Sequence, residues 1–267
     1  MTGLVGVCTD SGSQLPARLA TGLGIEVVPL TVTVGEREFL EGVDLDVDEL
    51  YDLLDDAAND LTTAQPSPGQ CAAAYEDLAA RGCSSIIAVH SSLSECNTLN
   101  AARLATRSSA VPVRIIDCGS ISFGVGYCAW AAAEAAAGGA SVDEIVGLIE
   151  GLRVQLGHVF TTGRSADEPD AGIEVATGIG EAVTSLVTAP DTPAAVAAMA
   201  GYVLSRPGRL RIGVGAGARE ALPLADELEL ALRSAEREIE LVRYRIGAGL
   251  AQRMRPGTVG CFFVPIG

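Results

Sequence analysis

The sequence contains no lysine. Its 18 basic residues are all arginines, against 34 acidic residues, and the formal net charge is −16. The absence of lysine excludes Schiff-base and pyridoxal phosphate chemistry, and it excludes a P-loop that holds a nucleotide through a lysine. A chain this acidic also lacks the basic surface that binds the phosphate backbone of nucleic acids. We therefore expect no nucleic-acid partner.

Long apolar runs are missing as well, although 48% of the residues are hydrophobic and the mean hydropathy is +0.33. Gly, Ser or a charged residue interrupts each apolar stretch before it reaches the roughly 18 residues of a membrane span. Residues 1–13 have neither the basic region nor the long apolar segment of a secretory signal. We therefore predict no membrane span and a cytoplasmic location.

Motifs for metals and cofactors are scarce. The seven cysteines are scattered without a CxxC pair, and two histidines accompany them, which argues against structural zinc and predicts reduced, buried thiols. The glycine-rich segment 213–217 lacks the full G-x-G-x-x-G pattern of a dinucleotide site, so we predict a tight turn there. We expect no metal and no cofactor.

Short apolar runs alternate with helical stretches in the first half of the chain. Three β-prone runs each end in a polar turn, at residues 4–8, 85–90 and 113–116. Later stretches favour helices, at residues 98–106, 123–137 and 142–156. This alternation predicts a parallel, doubly wound sheet, in which a ligand binds outside the carboxyl ends of the strands.

The composition of the chain changes after about residue 157. Short runs of Thr, Gly and Asp are followed by a helical pattern over residues 194–204 and a strand pattern over residues 210–214. The Glu/Arg-rich segment 218–238 is typical of an exposed helix with i,i+4 charge pairs. We therefore predict two α/β domains, residues 1–157 with the doubly wound sheet and a smaller one at residues 158–267.

Four short motifs follow one another in the first half of the sequence. Residues 9–16 read TDSGSQLP, residues 62–67 read TTAQPS, an altered SSxLSGT element begins at Ser91, and residues 117–126 follow a DSxxxSxGxG pattern with Cys in second place. With these motifs the chain resembles the DegV family, bacterial fatty-acid-binding proteins that serve as the lipid-presenting subunit of fatty acid kinase. The resemblance covers residues 1 to about 157.

The resemblance implies a DegV-like fold that binds a long-chain fatty acid between its two domains without catalytic residues of its own. A fatty acid gains about 0.8 kcal/mol per CH2 buried in an apolar tunnel, whereas its carboxylate needs hydrogen-bond donors. Suitable hydroxyls come from Thr62, Thr63, Ser92 and Ser94. The alternative is that Thr62, Thr63, Ser67 and Ser94 only cap helices.

The second half departs from the family pattern. Relatives carry a histidine near the C-terminus, in a GPVxxxHxGPG stretch that helps to hold the head group, whereas residues 247–257 read GAGLAQRMRPG and put Arg253 in its place. Arginine pairs bidentately with carboxylates, so we expect Arg253 to contact the head group; the alternative is that it faces solvent beside Arg255. The basic stretch that relatives carry in the second domain is also missing. Whether a fatty acid kinase subunit is a partner of this chain is therefore an open question.

A hydrolase is the alternative from a different functional class. His90, Ser91 and Asp117 lie at the ends of predicted strands and are the residue types of a serine esterase triad. However, the sequence has no G-x-S-x-G motif, and neighbouring residues of a strand point to opposite faces. The esterase, which would use Ser91 or Ser92 with His90, is therefore kept only as an alternative. A second alternative is a protein that binds another anionic small molecule.

Overall fold

A computed structural model describes residues 3–54, 60–91, 98–162, 172–179, 182–251 and 253–266. The chain divides into two compact units: the first unit comprises Met1–Asp46 and Leu53–Val154, and the second unit comprises Val47–Asp52 and Gln155–Gly267. The division into domains at residues 1–157 and 158–267 stays a prediction, because compactness alone does not show that a unit folds independently.

The first unit is built around a parallel sheet. Its strands are, in chain order, β1 (Val5–Asp10), β2 (Glu26–Val28), β3 (Thr31–Val34), β4 (Arg37–Leu40), β5 (Leu61–Ala64), β6 (Ser85–His90) and β7 (Val113–Asp117). Four of them form an all-parallel sheet in the order β2-β1-β6-β7. The other three form a small antiparallel sheet in the order β4-β3-β5.

Helices cover both faces of the parallel sheet. The helices of the first half of the chain are α1 (Ala17–Leu23), α2 (Val47–Leu54), α3 (Pro68–Ala80), α4 (Thr98–Ala105), α5 (Phe123–Ala137) and α6 (Val142–Gln155). Ile87 and Val89 of β6 pack in one apolar cluster with α5 and α6, whereas Ile86 and Ala88 pack in another with α3 and α4. Because successive side chains of a strand point to opposite faces, the central strand is buried on both sides. The predicted doubly wound α/β fold is confirmed.

Helix α5 lies deep in the first unit. Its residues 123–133 are all buried, and a glycine among them allows a close approach to the turn after β1. A Cβ atom at Gly126 would lie 2.6 Å from the carbonyl oxygen of Ser13, so only glycine allows this approach. Among the described residues, no helix combines the length and the hydropathy that crossing a bilayer requires.

The second unit contains a six-stranded mixed sheet. Its strands are β8 (Gly157–Thr161), β9 (Ile173–Thr177), β10 (Thr184–Ala189), β11 (Arg209–Ala216), β12 (Ile239–Arg245) and β13 (Val259–Ile266), arranged in the order β10-β9-β8-β13-β11-β12. Strands β11 and β12 pair in parallel, and the other neighbours pair antiparallel. Helices α7 (Thr192–Leu204) and α8 (Leu222–Arg233) bury an apolar core against one face, and a short α9 (Ala248–Ala251) follows β12.

Helix α2 comes from the first half of the sequence but belongs mostly to the second unit. Asp48 lies 2.8 Å from an Arg245 nitrogen and 3.9 Å from one of Arg219. The Tyr51 hydroxyl donates a hydrogen bond to the Ile246 carbonyl, over 3.1 Å. These contacts fix the helix to the end of β12 and the segment after β11.

The glycine-rich segment 213–217 is not the tight turn predicted from the sequence. Gly213 and Gly215 lie within β11, which continues to Ala216. A Cβ atom at Gly215 would come within 2.1 Å of the Tyr244 ring on the neighbouring β12. The glycine therefore makes room for a buried aromatic ring, a role that a sequence pattern does not distinguish from a turn.

Candidate functional site

The carboxyl edge of the parallel sheet gathers the polar residues of the first unit. Strands β1, β6 and β7 end there at Asp10, His90 and Asp117, and a hydroxyl-bearing residue follows two of them, Ser11 and Ser91. Parallel strands bring all their carboxyl ends to one edge, which is where open α/β sheets bind ligands. We therefore take this edge as the candidate site.

Asp10 and His90 form a buried pair at this edge. Each lies two residues beyond the paired Cys8 and Ala88, so both side chains point to the face covered by α3 and α4. The His90 Nδ1 and Asp10 Oδ2 atoms are 2.7 Å apart, and the two side chains are 0% and 7% exposed. On the other side of the imidazole ring, Nε2 has no hydrogen-bond partner among the described residues.

The esterase alternative requires His90 to pair with Asp117, but in the structure His90 pairs with Asp10. The Asp117 Oδ1 atom instead accepts a hydrogen bond from the Gly119 backbone N–H, over 3.0 Å. Within the described residues no serine hydroxyl is bonded to His90 Nε2; Ser91 is buried directly after the strand, and Ser92 lies outside the described residues. The described residues therefore hold a base and a carboxylate, but not an assembled triad.

The TDSGSQLP motif is explained by contacts within the first unit. Thr9 Oγ1 donates to the Val89 carbonyl over 2.9 Å, which ties the end of β1 to β6. Ser11 Oγ accepts from the Leu30 N–H over 2.9 Å and donates to Glu41 Oε2 over 2.5 Å. These bonds place Asp10, between them, in one fixed position.

The same motif reaches the start of α5 through Gln14. Gln14 and Ser122 both have a φ of +51°, in the left-handed region that residues other than glycine rarely adopt, and the Ser122 hydroxyl donates to the Gln14 side-chain oxygen. Such backbone positions persist only where the surroundings enforce them. The motif therefore shapes the turn after β1 and the entry to α5 together.

The predicted head-group hydroxyls lie in two places. Thr62 and Thr63 are neighbours in β5 and therefore point to opposite faces. Thr62 is opposite Thr33 and exposed, whereas Thr63 is half-buried opposite the fully buried Val32. One site can therefore use one of these two side chains. The other two predicted residues, Ser92 and Ser94, lie outside the described residues.

The capping alternative holds for one of its four residues. Ser67 caps α3: its hydroxyl accepts from the Gln70 N–H over 3.2 Å, and the Gln70 side chain accepts from the Ser67 N–H over 2.8 Å. Thr62 and Thr63 are strand residues and cap no helix. Ser94, the fourth, is outside the described residues.

The second histidine, His158, lies in β8 of the second unit. Its Nε2 atom donates to the Gly178 carbonyl over 2.6 Å, and its ring stacks on Phe262 with centroids 5.4 Å apart. Burial lowers the pKa of His158, and the bond to Gly178 opposes this in part. The residue is therefore a neutral side chain with its hydrogen bond satisfied, as expected for a structural histidine.

Comparison with known proteins finds a family match that covers most of the first unit. A family model described as "Uncharacterised protein, DegV family" matches residues 4–164, more than half of the chain. The chain belongs to the DegV family. A DegV domain-containing protein of Streptomyces coelicolor is 40% identical over 146 residues, which are 55% of this chain and 52% of that protein. One of Staphylococcus aureus is 34% identical over 147 residues, again 55% and 52%. These matches span about half the length of the relatives.

Solved DegV structures match along nearly the whole chain. A DegV family protein of Thermus thermophilus, described as fatty acid binding, superposes with a TM-score of 0.84 at 23% identity, over 98% of this chain and 99% of that one. DegV of Bacillus subtilis, a fatty acid binding protein, gives 0.82 at 20% identity, over 99% and 100%. At these identities the likeness shows that the fold of both units is that of the DegV family.

Arg253, the residue that the sequence motif aligns with the DegV histidine, lies in the second unit two residues after the end of α9. Its backbone N–H donates to the Leu250 carbonyl over 2.9 Å, and its side chain is exposed. The head-group role of Arg253 stays a prediction.

Six of the seven cysteines are among the described residues, and all six are buried and unbridged. Burial raises the pKa of Cys71 to about 11 and that of Cys8 well above its usual value. Thiols held in the protonated form are poor nucleophiles and poor metal ligands. The six described cysteines are therefore packing residues, in agreement with the interpretation of buried, reduced thiols.

Proposed function

We propose that this protein binds a long-chain fatty acid without transforming it, with the acyl chain in an apolar tunnel and the carboxylate held by Ser and Thr hydroxyls. The observation that carries the proposal is the match of the whole chain to DegV structures described as fatty acid binding. The location of the tunnel between the two domains stays a prediction, as does the cytoplasmic location.

Two physical requirements favour this ligand. Each buried CH2 group contributes about 0.8 kcal/mol, so a long chain supplies most of the affinity. The carboxylate needs charge-assisted hydrogen bonds to offset its lost hydration. Thr63, half-buried opposite Val32, is the better placed of the two threonines to provide one, and Ser92 or Ser94 would provide another.

Presentation of the bound acid to a kinase is a further part of the proposal. In such a pair the partner subunit would phosphorylate the head group, and this chain would contribute the bound lipid. Pull-down with a fatty acid kinase subunit, with and without added fatty acid, tests the partnership. Absence of a complex in both cases would leave a lipid-binding protein that acts without that partner.

Displacement of a fluorescent fatty acid tests the proposed function. Long-chain acids should displace the probe in a saturable manner from the folded protein, and short-chain acids should not, because they bury few CH2 groups. If long-chain acids show no saturable binding while circular dichroism shows a folded protein, the proposal is wrong.

The rival function is an esterase, which the Asp10–His90 pair favours because it provides two thirds of a triad. It predicts turnover of p-nitrophenyl esters that is lost in Ser91→Ala. Binding of acids without ester turnover, in the parent and in Ser91→Ala alike, would exclude that rival.

Arg253 offers a test in the second unit. If its guanidinium pairs with the carboxylate, Arg253→Ala should weaken fatty-acid binding by about 1.5 to 3 kcal/mol, measured by the same displacement. Arg255→Ala is the matched control, since it removes the same charge two residues away. An Arg253→Ala protein that binds the acid as tightly as the parent and as Arg255→Ala would show that Arg253 faces solvent.

A further inference from the structure

Three buried polar atoms of the first unit lack a hydrogen-bond partner among the described residues: Ser13 Oγ, His90 Nε2 and Thr98 Oγ1. Ser13 lies in the turn directly after β1, His90 is the last residue of β6, and Thr98 is the first residue of α4, the helix after β6. Buried polar groups are nearly always bonded, so each exception needs a partner from elsewhere. The exceptions of this unit lie around the ends of two adjacent strands.

His90 is the most strongly polar of the three groups, and it is the one whose position is fixed by a charged residue. We propose that His90 Nε2 binds the carboxyl head group of the ligand and that Asp10 is the positioning residue that fixes the imidazole ring. The inference rests on the proposed function and adds a head-group contact that differs from the hydroxyls and Arg253.

The chemistry of the pair suits a carboxyl group in particular. The Nδ1–H of His90 donates to Asp10, so a neutral ring presents a lone pair at Nε2 and a protonated ring presents an N–H. A carboxylic acid donates its O–H to the lone pair, and a carboxylate accepts from the N–H. The two states contain the same number of protons and differ in which atom carries one of them. A methyl ester has neither the O–H nor the negative charge.

The ionisable side chains near the pair are thiols that stay protonated and carboxylates that accept hydrogen bonds from other groups. Cys8 on β1 and Cys71 on α3 lie near Asp10, and burial raises the pKa of both thiols, with a smaller contribution from Asp10, so both stay neutral. On β7, Asp117 accepts from the Gly119 N–H. Glu41 accepts from Ser11. Among the ion pairs formed by the described residues, Asp10 takes part in the one with His90.

Nitrogen NMR of the histidine rings tests the contact directly, because the chain has two histidines. With ring-15N-labelled, tag-free protein, saturation with a long-chain acid should strongly shift the Nε2 signal of His90 and leave the signals of His158 in place, since His158 Nε2 is bonded to Gly178. The methyl ester of the same acid should not produce the shift. An unmoved His90 Nε2 signal at saturation would overturn the inference.

Two substitutions distinguish the role of Nδ1 from that of Nε2 in His90. His90→Asn keeps an amide N–H near the position of Nδ1, where it can donate to Asp10, and removes the group at Nε2. It should bind the acid at least roughly tenfold more weakly, with unchanged affinity for the methyl ester. His90→Gln, whose amide reaches the position of Nε2, should recover part of the loss. The matched control His158→Asn should bind both ligands like the parent.

The outcomes distinguish the inference from the proposed function. If the parent does not bind the long-chain acid, the proposed function fails. If the parent binds it and His90→Asn prefers the acid over the ester by the same factor, only the inference fails. Circular dichroism shows whether the variants are folded, and the NMR experiment on the parent decides the matter if they are not.

Discussion

Each unit contains one histidine, and the two imidazole rings differ in burial and in hydrogen bonding. In the first unit His90 is fully buried, is paired with a carboxylate 2.7 Å away, and has an Nε2 atom without a partner among the described residues. In the second unit His158 is half-buried and donates to a backbone carbonyl. The topology explains the contrast: an all-parallel sheet collects the polar ends of its strands at one edge, whereas a mixed sheet distributes them over both edges.

The family match follows the same division. The DegV model matches residues 4–164, which cover the parallel sheet and β8, whereas the second half carries the departures from the family motifs. The edge of the parallel sheet therefore combines family motifs with the unpartnered polar atoms of the first unit, three of the five found among the described residues. Variants that affect the two units differently test this contrast.

The largest effect on stability is expected from His90→Leu. This change leaves the buried Asp10 carboxylate without its partner, which should cost about 3 to 5 kcal/mol of the free energy of unfolding. His158→Leu removes one hydrogen bond to a carbonyl and should cost about 1 to 3 kcal/mol. Urea unfolding of both variants measures the difference.

The double variant Asp10→Leu/His90→Leu is the control, since it removes the charge together with its partner. It should be more stable than His90→Leu alone. Equal losses for His90→Leu and His158→Leu would contradict the contrast between the units.

The next largest effect is expected on ligand affinity. It comes from comparing substitutions on the two faces of β5. Thr63→Ala should weaken fatty-acid binding by about 1.5 to 3 kcal/mol if its hydroxyl donates to the carboxylate. Thr62→Ala, on the exposed face, should leave the affinity unchanged. Calorimetric titration measures both, and a larger loss in Thr62→Ala would transfer the role to the opposite face of the strand.

Gly126→Ala tests the packing of α5 on the turn that follows Asp10. The new Cβ atom would lie 2.6 Å from the Ser13 backbone oxygen, so we expect a loss of about 1 to 3 kcal/mol in stability. Gly147→Ala in α6 has no atom within 4 Å of the new Cβ and should stabilise the protein by about 0.5 to 1 kcal/mol. Thermal unfolding of the two variants should shift in opposite directions; a shift in the same direction would contradict the close approach.

The smallest effect concerns pH and the second unit. Burial lowers the pKa of His158, so the unfolded chain takes up a proton at a higher pH than the folded chain does. Stability should therefore fall as the pH falls below about 6.5, the usual value of histidine, until the folded form also becomes protonated. His158→Gln should make the dependence of the free energy of unfolding on pH shallower. An unchanged slope would show that His158 does not contribute.

Local patterns were sufficient to predict the fold of the first unit. The helix predicted at residues 123–137 has those bounds, and those predicted at 98–106 and 142–156 end one residue earlier, because periodicity and strand alternation are local properties. The apolar run over residues 25–34 illustrates the limit: Pro29 and Leu30 divide it into β2 and β3, which join different sheets. Which sheet a strand joins depends on packing partners elsewhere in the chain.

The candidate site depended on pairings that no local pattern contains. Asp10 and His90 are 80 residues apart and meet because β1 and β6 are neighbours in one register. From the sequence, Asp10 was expected in the polar turn after the first strand and His90 at the end of another, and the esterase alternative combined His90 with Asp117, on the other neighbouring strand. Helix α2 likewise packs on Arg219, Arg245 and Ile246, which lie between 167 and 197 residues further along the chain.

The central claim is that this DegV protein carries a long-chain fatty acid, and native mass spectrometry of the protein purified from bacteria tests it most directly. We expect a population whose mass exceeds that of the bare chain by one long-chain fatty acid, which is released on denaturation and identified in the extract. Protein that shows only the mass of the bare chain, and that stays so after incubation with long-chain acids, would contradict the claim.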